Sequence, residues 1–417
     1  MKFKTLICIL LLLTLAVQLC ACAQEETPAP SSAVQTSSRL GTVNLMADIQ
    51  PRAVEVQAIS AANAAASADF ALALLQNSYA EENCVLSPYS VYLALAMTAN
   101  GADADTLAQM ESVLGMSCEA LNAYLYTLAQ GAGQELQSAN SIWFYQNGAF
   151  VPNADFLQCN ADYYSADVFG ADFDEQTLRD INAWISEHTE GRIEDALDQI
   201  DPNTRMYLIN ALSFDAEWQS IYDIDQIYDG TFHAASGDES VQMMCSEEGK
   251  YLEDDLATGF IKDYSGGQYS YIALLPNEGV SVEEYLASLS GESLLATVQN
   301  ATDVLVYATM PKYTLETKTE LSEVLSAMGM PVAFSNDADF SRMANLELKI
   351  GRVLHQTYLS VDERGTEAGA STIVQMDAKG AFIMETKTVV LDRPFVMGIY
   401  DNVNQTFLFL GVIESVA

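Results

Sequence analysis

The stretch Asp362-Glu363-Arg364-Gly365-Thr366-Glu367-Ala368-Gly369-Ala370-Ser371-Thr372-Ile373-Val374 begins acidic and then turns to small residues. In an extended chain, successive side chains point to opposite faces. One face then carries Thr366, Ala368, Ala370, Thr372, Val374 and Met376 and is free of charge, while the other carries Glu367, Gly369, Ser371, Ile373, Gln375 and Asp377. No proline occurs between Gly365 and Lys379, so every backbone N–H there is available to a strand ladder. The small residues of the uncharged face could slide under a helical layer without a clash or a buried charge. Gly, Ala, Ser and Thr are equally the residues of a flexible surface loop, so composition alone favours a loop and the alternation argues for a strand.

Around this stretch the chain changes its period. Ala61 to Leu75 and Ser87 to Ala99 read as core-facing helices, the second with Pro88 in a first turn where its missing N–H is harmless. Tyr271 to Leu275, Val304 to Met310 and Phe407 to Val412 read as buried strands bounded by Pro, Gly or Asn. No repeat of solenoid or propeller spacing is present. The pattern predicts a mixed α+β domain with one large sheet and a helical cover.

Enzyme signatures are missing from the 417 residues: no G-x-S-x-G, H-E-x-x-H or G-x-x-x-x-G-K-[ST], and only three histidines, His188, His233 and His355. Cys84, Cys118, Cys159 and Cys245 are widely spaced, with no C-x-x-C and no histidine at ligand spacing, so neither a metal nor a cofactor is expected. Whether these cysteines pair is not legible from their positions.

The hinge pattern Glu363 to Thr372 resembles that of the serpins. Other stretches stand in that family's order: Asn83-Cys84-Val85-Leu86-Ser87-Pro88-Tyr89-Ser90, Ile181-Asn182-Ala183-Trp184 with Thr189-Glu190-Gly191-Arg192-Ile193, and Leu208 to Phe214 leading to Trp218. Leu275-Pro276-Asn277-Glu278-Gly279, Met310-Pro311-Lys312-Tyr313, Asp339-Phe340-Ser341, His355 and Arg393-Pro394-Phe395 continue the series. The resemblance runs from about Ala65 to the end. It departs at Asp215-Ala216-Glu217, where the family usually shows a Lys-Gly pair, and before Pro394, where the chain runs about four residues longer than usual.

The resemblance implies the serpin fold, about nine helices around three sheets, over 58–417, with a reactive-centre loop at about 363–388. It implies a suicide inhibitor that is not an enzyme: a serine protease cuts the loop, and the freed arm inserts into the central sheet while the acyl-enzyme persists. The family's spacing puts the reactive bond at Lys379–Gly380, which suits a trypsin-like protease, with Met376 and Met384 as fallback bait for elastase-like or chymotrypsin-like enzymes. Glu363, Gly365, Thr366, Glu367, Ala368, Gly369, Ala370, Ser371 and Thr372 would form the hinge. Ser87, Ser90, Asn210 and His355 fall at shutter positions, and Trp218 where the arm first enters. A non-inhibitory serpin, acting as a binding or chaperone-like protein, is the alternative; a bulky, charged or proline residue at Thr366, Ala368 or Ala370 would favour it, and none is present.

At the other end, Lys2 and Lys4 precede an apolar run from Thr5 to Leu19, which reads as a secretory signal over 1–21. Leu19-Cys20-Ala21-Cys22 resembles the lipobox of bacterial lipoproteins, so lipidation of Cys22 and a membrane anchor on the cell's outer face, or release from it, are expected; cleavage as an ordinary signal is the other reading. Residues 22–57, rich in Glu, Thr, Pro, Ala and Ser, read as a flexible tether. A net charge of −39 makes nucleic acid an improbable partner. It suits a soluble monomer outside the cell and speeds encounter with cationic proteins.

Overall fold

The computed structural model describes residues 41–146, 150–189, 191, 196–201, 204–366 and 385–417. The first half holds β1 (Val43–Asn44), α1 (Ala61–Ser78), β2 (Cys84–Leu86), α2 (Pro88–Ala99), α3 (Ala104–Leu114), α4 (Cys118–Gly131) and β3 (Leu136–Tyr145). Next come α5 (Ala154–Tyr164), β4 (Asp167–Ala171), α6 (Glu175–His188), β5 (Met206–Phe214), β6 (Ala216–Glu217), β7 (Ile227–Ala234), β8 (Gly237–Glu253) and β9 (Ala257–Asp263). The remainder is β10 (Tyr269–Pro276), α7 (Val282–Ser288), α8 (Gly291–Gln299), β11 (Thr302–Pro311), β12 (Tyr313–Glu320), α9 (Ser322–Met328), β13 (Arg352–Val361), β14 (Gly365–Thr366), β15 (Thr386–Val390), β16 (Phe395–Asp401) and β17 (Thr406–Ile413).

The helices begin where the sequence supplies caps. Ser60 accepts from the Asn63 N–H at the head of α1, and Ser87 accepts from the Ser90 N–H at the head of α2, with Pro88 in the first turn. Every residue of α2 is buried, consistent with a helix that is apolar on all sides and lies in the middle of the molecule, against β17 and β5. The three stretches read as buried strands are β10, β11 and β17, each a residue or two longer at its ends than their apolar runs.

Nine α-helices stand among the described residues, and their strands form two hydrogen-bonded networks. The first runs β1-β4-β3-β5-β13-β14-β6, with β12 on the far side of β13; the second runs β15-β11-β8-β9-β10-β16-β17-β2, with β7 beside β8. Two networks stand for three sheets because β8, 17 residues long, pairs with β7 and β11 over its length and with β9 through its last residues. The outermost strand β12 shows Glu316, Lys318 and Glu320 to solvent in alternation.

Part of the expected tether is packed. Val43 and Asn44 pair with Gly170 and Phe169 of β4, the Leu45 N–H donates to Val168 O at 2.7 Å, and Leu45, Met46 and Ile49 lie against the core. Further along, the Arg52 N–H donates to Asp162 Oδ1 at 2.6 Å. Average composition misled the reading because three residues of backbone suffice to cover the free edge of β4, and three apolar side chains suffice to hold them there. Removing residues 1–57 should cost about 2 to 3 kcal/mol from these half-buried side chains. Urea midpoints of the two chain lengths measure this, and equal midpoints would refute it.

Candidate functional site

The large sheet is split down its middle. β13 pairs with the whole of β12, from Leu354 opposite Glu320 to Val361 opposite Tyr313, and β5 pairs with β3 from Met206 to Phe214. Among the described residues, however, β5 and β13 pair with each other only at Tyr207–Arg352 and Leu208–Val353. Above that closure the strands stay unpaired until Thr366 of β14 bridges them, opposite Val361 on one side and Ala216 on the other. Each rim advances eight residues between the closures, Val353 to Val361 and Leu208 to Ala216, so the two edges are in register over about 26 Å.

A cavity of about 320 Å³ occupies the lower seam, lined by Ile209, Asn210, Leu354, His355 and Gln356 and roofed by Ile181 and Ile185 of α6. Gln356 Oε1 is buried there without a hydrogen-bond partner. An opening walled by two facing strand edges can take one more strand.

The upper closure is a tight turn. Asp362 Oδ1 accepts from the Arg364 and Gly365 N–H groups at 2.8 and 3.1 Å, and the Asp362 N–H donates to Gly365 O at 3.0 Å. Gly365 is required because a Cβ would lie 2.0 Å from Ala216 O. Thr366 follows, 1% exposed, its hydroxyl 2.5 Å from Tyr264 Oη. Trp218 stacks on Tyr264 with centroids 4.5 Å apart, and its Nε1 donates to Asp362 O at 2.9 Å. The Trp218 N–H donates to Arg364 O at 2.8 Å and the Tyr222 N–H to Glu363 O at 2.9 Å. Two ion pairs flank the turn: Lys312 to Glu363 at 2.5 Å and Arg364 to Glu217 at 2.8 Å. The hydrogen bond from Lys312 is the main reason the Glu363 carboxyl is held below the usual carboxylate range.

The four residues expected at the shutter gather around the head of α2. The Ser87 N–H donates to His355 Nε2 at 2.9 Å, Ser87 Oγ to Leu408 O at 2.8 Å, and Ser90 Oγ to Asn210 Oδ1. Asn210 Nδ2 extends the chain to Asn140 Oδ1 of β3 at 2.5 Å. His355 Nε2 accepts, so the imidazole is neutral, and complete burial lowers its pKa to about 4.

Several partners escaped the sequence reading. Ala216 and Glu217, noted only as a departure from the family pattern, form β6 and mount the hinge. Lys312 stood in a quoted motif with no role; the register of Tyr313 opposite Val361 brings it to Glu363, and a single chain offers no signal for that. Asn140 and Tyr264 were not singled out. Glu367, Ala368, Gly369, Ala370, Ser371, Thr372, Lys379 and Gly380 lie outside the described residues, as does Cys22. Cys84, Cys118, Cys159 and Cys245 are all free thiols, and burial raises Cys84 to about 11.

Because His355 titrates near 6.5 when unfolded and near 4 when folded, its stabilising neutrality is fully present above about pH 6.5 and drains away as pH falls toward 4. Between about pH 7 and 4.5 the wild-type chain should lose about 2 to 3 kcal/mol more than His355→Gln. Urea unfolding at both pH values measures the difference, and parallel losses would rule out this histidine as the source.

A split sheet with a strand-sized seam, a polar cluster at its base and a turn lodged at its mouth matches the comparisons with known proteins. The sequence profile described as Serpin (serine protease inhibitor) matches residues 65–416. A serpin-like protein of Thermococcus kodakarensis is 33% identical over 79% of this chain and 80% of its own length. Leukocyte elastase inhibitor of Bos taurus is 30% identical over 86% of this chain and 100% of its own. Among solved structures, the thermophilic serpin tengpin in the native state superposes with a TM-score of 0.85 at 43% identity, covering 90% of this chain and 100% of that one. Thyroxine-binding globulin in complex with thyroxine gives 0.75 at 26% identity, covering 85% and 99%. By profile, relatives and split sheet alike, the chain belongs to the serpin family, whose members are generally protease inhibitors.

Proposed function

We propose that this serpin traps a trypsin-like serine protease as a covalent acyl-enzyme and completes its own sheet in doing so. The observation that carries the reading is the seam, in register at both ends. A strand continuing from Thr366 would run antiparallel to both rims and place Ala368, Ala370 and Thr372 between Leu359 and Phe214, Thr357 and Leu212, and His355 and Asn210 in turn, and Val374 between Val353 and Leu208 once the lower closure opens to admit the rest of the arm. On β13 these odd-numbered neighbours are the buried ones. The uncharged face of the loop would therefore turn inward and Glu367 outward, which costs no buried charge.

In chemical terms, the protease serine attacks the Lys379 carbonyl, the Gly380 amine leaves, and an ester joins the protease to the arm. The 14 residues from Thr366 to Lys379 then span on the order of 45 Å once inserted. Pulled that far across the domain, the protease's triad and oxyanion hole lose the geometry that deacylation needs. The serpin supplies no catalytic group. The leader at 1–21 and Cys22 support the same reading, with the domain held at or released from the outer face of the cell membrane.

The test is incubation with trypsin-like and elastase-like serine proteases, followed by denaturing gels and mass analysis of the released peptide. A heat-stable complex with release beginning at Gly380 is expected, and Lys379→Ala should lose the trypsin-like targets selectively. Cleavage without a complex across the panel would move the protein to the binding or chaperone-like serpins. Ala370→Arg should fold normally, be cleaved at the wild-type rate and form no complex, because the arm cannot bury an unpaired guanidinium; a persisting complex would sink the insertion mechanism. Thr366 is unsuited to this variant because it is already buried before cleavage.

A further inference from the structure

Lys262 of β9 is 1% exposed, behind the segment that carries Trp218 and Tyr222. Its ammonium donates to Glu248 Oε1 at 2.8 Å and to Ser220 O at 3.2 Å. It also lies 4.4 Å from the Tyr222 ring centroid and 5.4 Å from that of Trp218. Glu248 Oε1 accepts a second bond, from Ser246 Oγ at 2.6 Å, and that hydroxyl is 3.3 Å from Tyr222 Oη. One buried cation thus touches residues 218, 220 and 222, the first and last through their rings and the middle one through its backbone carbonyl.

Burying an ammonium and a carboxylate gains no more stability, as a rule, than an apolar pair of the same volume. A buried ammonium does supply direction: its donors fix a carbonyl and a carboxylate, and the charge holds two aromatic faces toward itself. The segment it organises is the one whose Trp218 and Tyr222 N–H groups hold Arg364 O and Glu363 O. Force on the hinge turn therefore passes through two backbone hydrogen bonds to residues tethered to one ammonium.

We infer that Lys262 is a positioning residue for loop insertion: with Glu248 it holds segment 218–222 so that the turn 362–366 sits in the mouth of the seam before the loop is cut. The inference rests on the inhibitor reading for its consequence, since a preset turn lets the arm start inserting without first searching for its entry. A loosened turn slows insertion relative to deacylation, and more inhibitor is consumed as substrate. Loop cleavage itself is untouched.

The test uses Lys262→Met with Glu248→Gln in one chain, which removes both charges and strands neither. Hydrogen exchange of the Trp218 and Tyr222 amides should speed at least tenfold while β17 keeps its protection. The stoichiometry of inhibition should rise several-fold at an unchanged rate of loop cleavage. Unchanged exchange at both amides, or an unchanged stoichiometry, overturns the inference. Equal loss of protection in β17 overturns it as well, since Lys262 would then serve only general stability. A wild-type chain that is cleaved without forming a complex defeats the inhibitor reading instead, and the exchange experiment then decides the positioning role alone.

Discussion

Backbone N–H and C=O groups must find partners, and that obligation dominates this molecule at the seam between β5 and β13. Each strand is satisfied on its outer side, β5 by β3 and β13 by β12, and each turns an unpaired edge toward the other. The closures at Val353–Leu208 and at Thr366 stop the edges from sliding, so they remain parallel and in register. Much of the surrounding architecture follows from keeping that geometry. Helix α6 roofs the opening, and α2 presents Ser87 and Ser90 to both sides from below. The turn 362–366 closes the top.

The polar groups under the seam hold its two rims separately. An apolar base would hold β5 and β13 by area alone, which is indifferent to small displacements. Ser90 to Asn210, Asn210 to Asn140 and Ser87 to His355 are directional, and each side of the seam is tied to the same helix rather than to the other side. At the mouth, Lys312–Glu363, Glu217–Arg364 and the buried Lys262–Glu248 pair supply the same kind of definition around aromatic rings.

Much of this was legible in the chain. The strand-like alternation after Gly365, the capped α2 and the motifs ending in Arg393-Pro394-Phe395 pointed to the fold, and Ser87, Ser90, Asn210, His355 and Trp218 all stand at the seam or its mouth. Pairing across sequence distance was not legible. Nothing local says that Lys312 will meet Glu363, that Glu217 will take Arg364, or that a lysine in β9 will be swallowed whole beneath two rings. The tether was misjudged for a related reason: the value of Leu45, Met46 and Ile49 depends on β4 having a bare edge, and that edge belongs to another part of the chain.

The flanks of the large sheet carry a consequence for crowding. An unpaired strand edge is a template for a neighbour's backbone as much as for the chain's own. Here one outer edge is capped by the chain's own β1, and the other, β12, meets solvent with Glu316, Lys318 and Glu320, charges that discourage a foreign backbone from lying alongside. Among the described residues the edges left unguarded are thereby those of the seam, where any incoming strand meets an eight-residue register. Selectivity against neighbours is thus a property of the sheet's two borders, and the short N-terminal strand guards one of them.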